Sequence, residues 1–359
     1  MKTPIIVVHV DLAAESIEHH YDVVAGRVRP CHGLRLFLWR GELPLGDLVL
    51  TAAGWPVSRA RFRQLVAQAI APAVGQRLFG VGFHPAVPER RPSLVPLPAP
   101  PLSALTALVN PLDRLTDLDS SGTNNGAARV SLVVCGQSRP AQLRRALAAV
   151  QALKPAPDEV VLVDNASNAS KASSASTARE LVADYPGIRY VHEARPGLSV
   201  ARNRGLRETS GDIIAFTDAD AEVLPTWLGW LIAALEAPEI MAVTGLLLPA
   251  SLDTEHQLVF RNHLGGLGRS YRSQRFDSAF FRGMRRYGGR VWRIGTDSNM
   301  AVRRQAMELI GGFDERLAAG THRPNGRSEL WSVLLAQGWC CYYEPAAVAM
   351  ALPSSLTSP

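Results

Sequence analysis

The sequence predicts an α/β protein: a mostly parallel sheet flanked by helices over residues 129–359, preceded by a smaller α+β unit. Three observations predict it. From Arg129 onward, short apolar runs alternate with segments of helical periodicity, the pattern of parallel strands joined by crossover helices. Two apolar runs end in carboxylates, Val160–Val163 in Asp164 and Ile213–Thr217 in Asp218-Ala219-Asp220, and open α/β sheets bind ligands at such strand ends. Between Pro85 and Gly126 the chain turns proline-rich (VPLPAPPLS) and then small and polar (DSSGTNNGA), which reads as a linker. The expected organisation is therefore an α+β unit over 1–84, a linker over 85–128 and the main domain over 129–359.

The 359 residues are 47% hydrophobic, enough to bury a substantial core. The net charge of +6 comes mostly from scattered arginines and suits an anionic substrate, a phosphorylated ligand or an acidic membrane surface. No dense Lys/Arg block interleaves with aromatics, so nucleic acid is not an expected partner. Cys31, Cys135, Cys340 and Cys341 form no CxxC pair, and adjacent cysteines rarely bridge each other, so a reducing compartment is expected. The N-terminal apolar stretch is soon broken by His9 and Asp11, unlike a signal peptide. No window reaches the roughly 18–20 uninterrupted apolar residues of a membrane span. The expectation is a cytoplasmic protein, soluble or peripheral to the inner face of a membrane.

In the first unit, Pro4–Val10 and Leu34–Trp39 read as strands, and Gly41–Thr51 as a turn leading into a third. Ser58 can cap a helix whose apolar residues Phe62, Leu65, Val66, Ile70 and Val74 recur at helical spacing. The His19-His20 pair has no metal-ligand spacing and reads as a solvated surface pair.

In the main domain, Val130–Cys135 is a continuous apolar strand, and Pro140 opens a helix carrying Leu143, Leu147 and Val150. Val160–Val163 is the second strand. The low-complexity run SNASKASSASTA predicts a mobile loop before a helix at Ala178–Tyr185. Ile188–His192 is the third strand, and Arg195-Pro196-Gly197 leads into a helix carrying Ala201-Arg202-Asn203-Arg204-Gly205. The strand ending in Asp218 follows, then a helix starting near Pro225 and a strand at Met241–Leu247. Gly265–Arg293, rich in Gly, Arg and aromatics, is too long for an ordinary connection and reads either as a functional lid or as a partly disordered segment. Beyond it come a strand and turn at Gly295–Met300, a helix at Arg303–Ile310, the turn Gly311-Gly312-Phe313-Asp314-Glu315, a helix near Ser328–Gln337 and a last strand around Cys341–Glu344.

Asp164 and Asp220 follow different inner strands and are expected on the same edge of the sheet. Two charges as close as Asp218 and Asp220 at a semi-buried edge repel, and need a cation or hydrogen-bond donors. Oxygen ligands select Mg²⁺ or Mn²⁺, and Mg²⁺ is typically completed by waters and substrate phosphates, which predicts a nucleoside diphosphate donor. No GxGxxG follows the first strand, which argues against a dinucleotide-dependent dehydrogenase.

The stretches VSLVVCGQSRPAQLRRAL, EVVLVDNAS, RPGLSVARNRGL, DIIAFTDADAEVLPTWL, GTDSNMAVRR and GGFDERL, in that order, resemble a family 2 glycosyltransferase of the GT-A fold over residues 129 to about 346. The resemblance implies a metal-dependent, inverting transfer from a nucleotide-sugar, a UDP-sugar or similar, to a hydroxyl on a glycan, a lipid-linked or a small-molecule acceptor. It implies that Asp164 binds uracil or ribose, that Arg202 and Asn203 sit near the donor, and that Asp218-Ala219-Asp220 is the DxD motif with Asp220 the more direct metal ligand. Asp297-Ser298-Asn299 would line the acceptor side.

Three departures from the family pattern stand out. Asn325-Gly326-Arg327-Ser328-Glu329-Leu330 occupies the place of an acidic Glu-Asp pair that supplies the usual base, and Glu329 is the nearest carboxylate. Glu329 is assigned as the base, and it equally suits a plain first-turn helix position. The His that often follows a Tyr-x-Pro-x-Ala segment is missing from YYEPAAVAMALPSS, and Gly136-Gln137-Ser138 replaces a more typical Thr-x-Asn or Thr-x-Asp. The alternative these departures motivate is a degenerate module that binds a nucleotide or a partner without turnover.

Overall fold

The computed structural model describes residues 5–14, 16–27, 33–51, 54–79, 112, 115, 128–136, 140–165, 172–250, 271–285, 291, 294–317 and 326–352. Contacts divide the chain into two compact units, one of residues 1–121 with 251–274, the other of 122–250 with 275–359.

In the first unit, β1 (Ile5–Asp11) runs parallel to β2 (Gly33–Arg40), and β2 pairs antiparallel with β3 (Leu43–Leu50). Helices α1 (Ile17–Arg27) and α2 (Arg59–Phe79) complete it. Val8, Val10, Val24, Leu34, Leu36, Leu38, Phe62 and Val66 share one core, so alternate strand residues meet the apolar side of the helices. The sequence reading missed α1, because its apolar residues are few and its polar ones crowd together. Its His-His pair is not uniformly solvated: His20 is buried, with Nε2 2.9 Å from the Asp11 carbonyl.

The second unit holds a nine-stranded sheet among the described residues. Its main path runs β10 (Gln274–Phe276), β12 (Cys340–Ala351), β9 (Ile240–Pro249), β11 (Asn299–Arg303), β7 (Ile213–Asp218), β4 (Val130–Cys135), β5 (Glu159–Asp164) and β6 (Ile188–His192), with β8 (Ala221–Val223) paired to β12. The strands β6-β5-β4-β7 are mutually parallel, and β11 is antiparallel to its neighbours. This is the expected α/β class with its mostly parallel sheet. All six residues of β4 are buried, as expected of a strand covered on both faces, which is why it reads as an unbroken apolar run. The helices are α3 (Pro140–Gln151), α4 (Ala172–Ala183), α5 (Leu198–Glu208), α6 (Trp227–Ala234), α7 (Ser278–Arg285), α8 (Arg304–Ile310) and α9 (Gly326–Ala336).

Helix α5 lies close to β4. A Cβ built on Gly205 would meet Val133 Cγ1 at 2.2 Å, so only glycine permits this approach.

Three elements correct the sequence reading. α4 begins at Ala172, inside the run expected to be a mobile loop, because alanine and serine without glycine or proline can extend a helix begun by the apolar residues downstream. The described part of Gly265–Arg293 contains β10 and α7. β12 runs far past Glu344: Pro345 interrupts the apolar pattern but sits where the register shifts between Glu344 and Val348, a position where proline's missing N–H is tolerated.

Candidate functional site

The register brings the predicted carboxylates together. Cys135 at the end of β4 is opposite Asp218 on β7 and Val163 on β5, and Asp164 is opposite His192 on β6. Asp164 and Asp218 therefore occupy one sheet edge, with Gly136 turning between them. Gly136 has φ of 126°, a left-handed conformation that a side chain would strain, and its N–H donates to the Val163 carbonyl at 3.2 Å.

The turn holding Asp220 is pinned on both sides. The Ala219 N–H donates to the Cys135 carbonyl, and the Leu352 N–H donates to the Asp220 carbonyl, each at 2.8 Å. β8 then pairs with the far end of β12, Ala221 opposite Ala351, so the late part of the chain fixes the turn.

The two aspartates of this turn differ. Asp218 Oδ1 accepts from Arg202 Nη2 at 3.1 Å, and Arg202 Nη1 is ion-paired with Asp297. The Arg202 side chain is 2% exposed. Burial works against its charge, but Asp297 and Asp218 outweigh it and hold the guanidinium above its ordinary pKa. Asp220 is half-buried, and its carboxyl accepts a hydrogen bond from its own backbone N–H. Desolvation raises its pKa. A carboxyl taken out of water with no cation beside it is the place where an added cation gains most. Among the described residues no three His, Cys, Asp or Glu side chains come together as a cation cage. Asp220 and Asp218 are hard oxygen donors that fit a divalent ion whose remaining ligands come from elsewhere.

Asp164 is buried, and its Oδ2 accepts from the Tyr190 hydroxyl at 3.1 Å. Burial, followed by this neighbouring carboxylate, pushes the Tyr190 pKa up to about 12. The adjacent Asn165 donates to the Gly197 carbonyl at 2.9 Å, tying the end of β5 to the start of α5.

Asn203, expected near the donor, clamps a loop. Its amide donates to the Phe313 carbonyl at 2.8 Å and to Glu315 Oε1 at 3.1 Å, and accepts from the Phe313 N–H at 2.8 Å. Arg195 adds an ion pair to Glu315 at 2.8 Å and one to Glu193 at 3.1 Å. Asn299, expected on the acceptor side, is wholly buried: it accepts from Trp227 Nε1 and donates to the carbonyls of Leu246 and Ala347. Asp297 turns to Arg202. Glu329 falls in α9, but its side chain lies outside the described residues.

Tyr190, Glu193, Arg195 and Glu315 were not singled out from the sequence. Glu315 is 120 residues from Arg195, and no local spacing announces such a pair. An open depression of about 610 Å³ between α5 and the loop 310–316 is lined by none of Asp164, Asp218 and Asp220.

The carboxylates lie along the carboxyl ends of parallel strands in an α/β sheet, the edge at which open α/β sheets bind ligands. The family model described as glycosyl transferase family 2 matches residues 131–311, and the chain belongs to that family. Among curated relatives, the uncharacterized glycosyltransferase YibD of Escherichia coli is 40% identical over 68 residues, 19% of this chain and 19% of that protein. The succinoglycan biosynthesis protein ExoM of Rhizobium meliloti is 32% identical over 124 residues, 34% of this chain and 39% of that one. The O-antigen biosynthesis protein RfbC of Myxococcus xanthus is 27% identical over 194 residues, 53% and 15%. The chain thus spans less than two fifths of each of these relatives. Among solved structures, a mannosyltransferase from Pyrobaculum calidifontis in complex with GDP-Man and Mn²⁺ matches at TM-score 0.44 and 21% identity, covering 65% of this chain and 59% of that one. Among the described residues no helix is long and apolar enough to cross a membrane.

Proposed function

We propose that the second unit transfers a sugar, with inversion, from a nucleoside diphosphate donor, a UDP-sugar in the first instance, to an acceptor hydroxyl, and that it uses Mg²⁺ or Mn²⁺. The observation that carries this reading is Asp220, a half-buried carboxyl without a cation partner among the described residues, beside Asp218 at the end of β7. Asp164 binds the nucleoside, held by the Tyr190 hydroxyl. Asp220 and Asp218 hold the divalent ion, which when bound neutralises charge growing on the departing diphosphate. Arg202 keeps Asp218 oriented and places a fixed positive charge at the same edge, where it needs no reorganisation as charge develops. A carboxylate removes the proton of the attacking hydroxyl, and Glu329 is the assigned group. The names of two curated relatives, in O-antigen and succinoglycan biosynthesis, support a glycan or lipid-linked glycan acceptor. The expected setting is cytoplasmic, with the arginine-rich composition suiting contact with an anionic membrane face. The proposed boundaries are an α+β unit over 1–84, a linker over 85–128, nearly all of it outside the described residues, and the transferase over 129–359, of which contacts group 251–274 with the first unit.

Calorimetry with UDP and GDP, with and without Mn²⁺, tests the reading. Mn²⁺-dependent binding of a nucleoside diphosphate that Asp220→Ala abolishes is the expected result. No binding of any nucleotide, with Asp220→Ala behaving as wild type, sinks it. A second reading, a module that binds nucleotide without turnover, is favoured by Arg327 and Ser328 standing where acidic residues are expected. Sugar transfer or donor hydrolysis that Glu329→Gln removes while donor binding persists would exclude it.

A further inference from the structure

The resemblance puts Asp297 on the acceptor side, and the geometry joins it to Asp218 through Arg202. One guanidinium holds two carboxylates: Nη1 pairs with Asp297 and Nη2 reaches Asp218 Oδ1 at 3.1 Å. The three side chains are graded in exposure, 2% for Arg202, 10% for Asp297 and 23% for Asp218, so Asp297 anchors the inner end and Asp218 faces outward. The Phe313 ring, 5.9 Å from the guanidinium carbon, packs beside it. A planar fork fixed at one nitrogen cannot swing away from Asp218 without breaking its inner pair.

We propose that Asp297 is a positioning residue for the cation-binding end of the site: it holds Arg202 and supplies the second negative charge that leaves Asp218 able to attract a divalent ion together with Asp220. This rests on the metal-dependent reading above. With both carboxylates present the trio carries a net charge of −1. Without Asp297, Arg202 and Asp218 cancel, and Asp220 alone faces the ion. Stability gives little reason to keep such a trio, because buried ion pairs are often no better than apolar groups of the same volume. A role in shaping the charge at the edge gives that reason.

The test is titration of the full chain with Mn²⁺ alone by calorimetry, followed by UDP at saturating Mn²⁺, with melting curves for each variant. Asp297→Asn is expected to weaken Mn²⁺ binding by roughly tenfold or more, and Asp297→Glu, which keeps the charge, to stay within about threefold of wild type. A purely structural Asp297 would lower the melting temperature of Asp297→Asn and leave its Mn²⁺ affinity within about twofold of wild type, which overturns the proposal. If Asp297→Asn gives no cooperative melt, Asp297→Glu decides: retained affinity supports the charge role, and a loss of about tenfold despite the conserved charge overturns it. A wild-type chain that binds no Mn²⁺ overturns the metal-dependent reading itself, and so marks that failure apart from this one.

Discussion

Asn299 Oδ1 accepts a hydrogen bond from Trp227 Nε1 at 2.8 Å, and both side chains are wholly buried. With its two donated bonds to Leu246 and Ala347, each at 2.9 Å, Asn299 joins β11 to α6, β9 and β12. Asn299→Ala would strand one indole N–H and two carbonyls away from water. The expected loss of stability is about 2–4 kcal/mol, read by chemical denaturation. A loss under about 0.5 kcal/mol would mean that these groups find water or other partners.

Tyr190→Phe removes the hydroxyl that Asp164 accepts and little else. Under the proposed nucleoside role of Asp164, affinity for UDP should fall by roughly three- to tenfold, the net value of one ordinary hydrogen bond, with the melting temperature nearly unchanged. Calorimetry and thermal melting of the same sample check both halves. In the wild-type chain, Tyr190 with a pKa near 12 should show no phenolate absorbance at pH 10.

Asp220 supplies a pH prediction. Burial raises its folded pKa above the ordinary value of 3.8, so in the window above 3.8 the folded chain binds more protons than the unfolded one. Stability from that proton is full below the unfolded value and is lost as pH rises through the folded one. Asp220→Asn removes this loss. Without added metal the variant should melt higher than wild type at pH 7, and the gap should close as the pH is lowered towards 3.8. Added Mn²⁺ should then stabilise wild type and not the variant.

Gly205→Ala places a methyl 2.2 Å from Val133 Cγ1, at a buried contact between α5 and β4. The backbone must shift, at a cost of about 1–3 kcal/mol. Because α5 carries Arg202, the same shift should weaken nucleotide binding as well. A variant as stable as wild type in denaturant titration would show that the helix moves freely.

Much of the main sheet was legible because its signals are local. β4, β5, β6 and β7 are short apolar runs bounded by turns, and α3 shows its apolar face at helical spacing. Asp164, Asp218 and Asp220 stood out because each follows such a run. The missed elements lack local contrast: α1 mixes its polar and apolar residues, β8 is three residues long, and the second half of β12 lies beyond a proline. Asn203 and Asn299 were legible as members of motifs, but not as the loop clamp and the core cross-link that they are. An asparagine pattern does not say which backbone groups the amide will meet.

By itself the sequence determined that strands and helices alternate after Arg129, that carboxylates close two of the inner strands, and that the chain resembles a glycosyltransferase family. Strand periodicity and turn chemistry act between near neighbours, and need no partner from afar. Only the tertiary structure decided which carboxylate is neutralised and which is not. Arg202 precedes Asp218 by 16 residues and Asp297 by 95, and burial makes its one guanidinium a shared counter-ion for both. Asp220, two positions from Asp218, has no such partner among the described residues. Electrostatic roles follow distance and dielectric in space, and the chain order of the charges specifies neither.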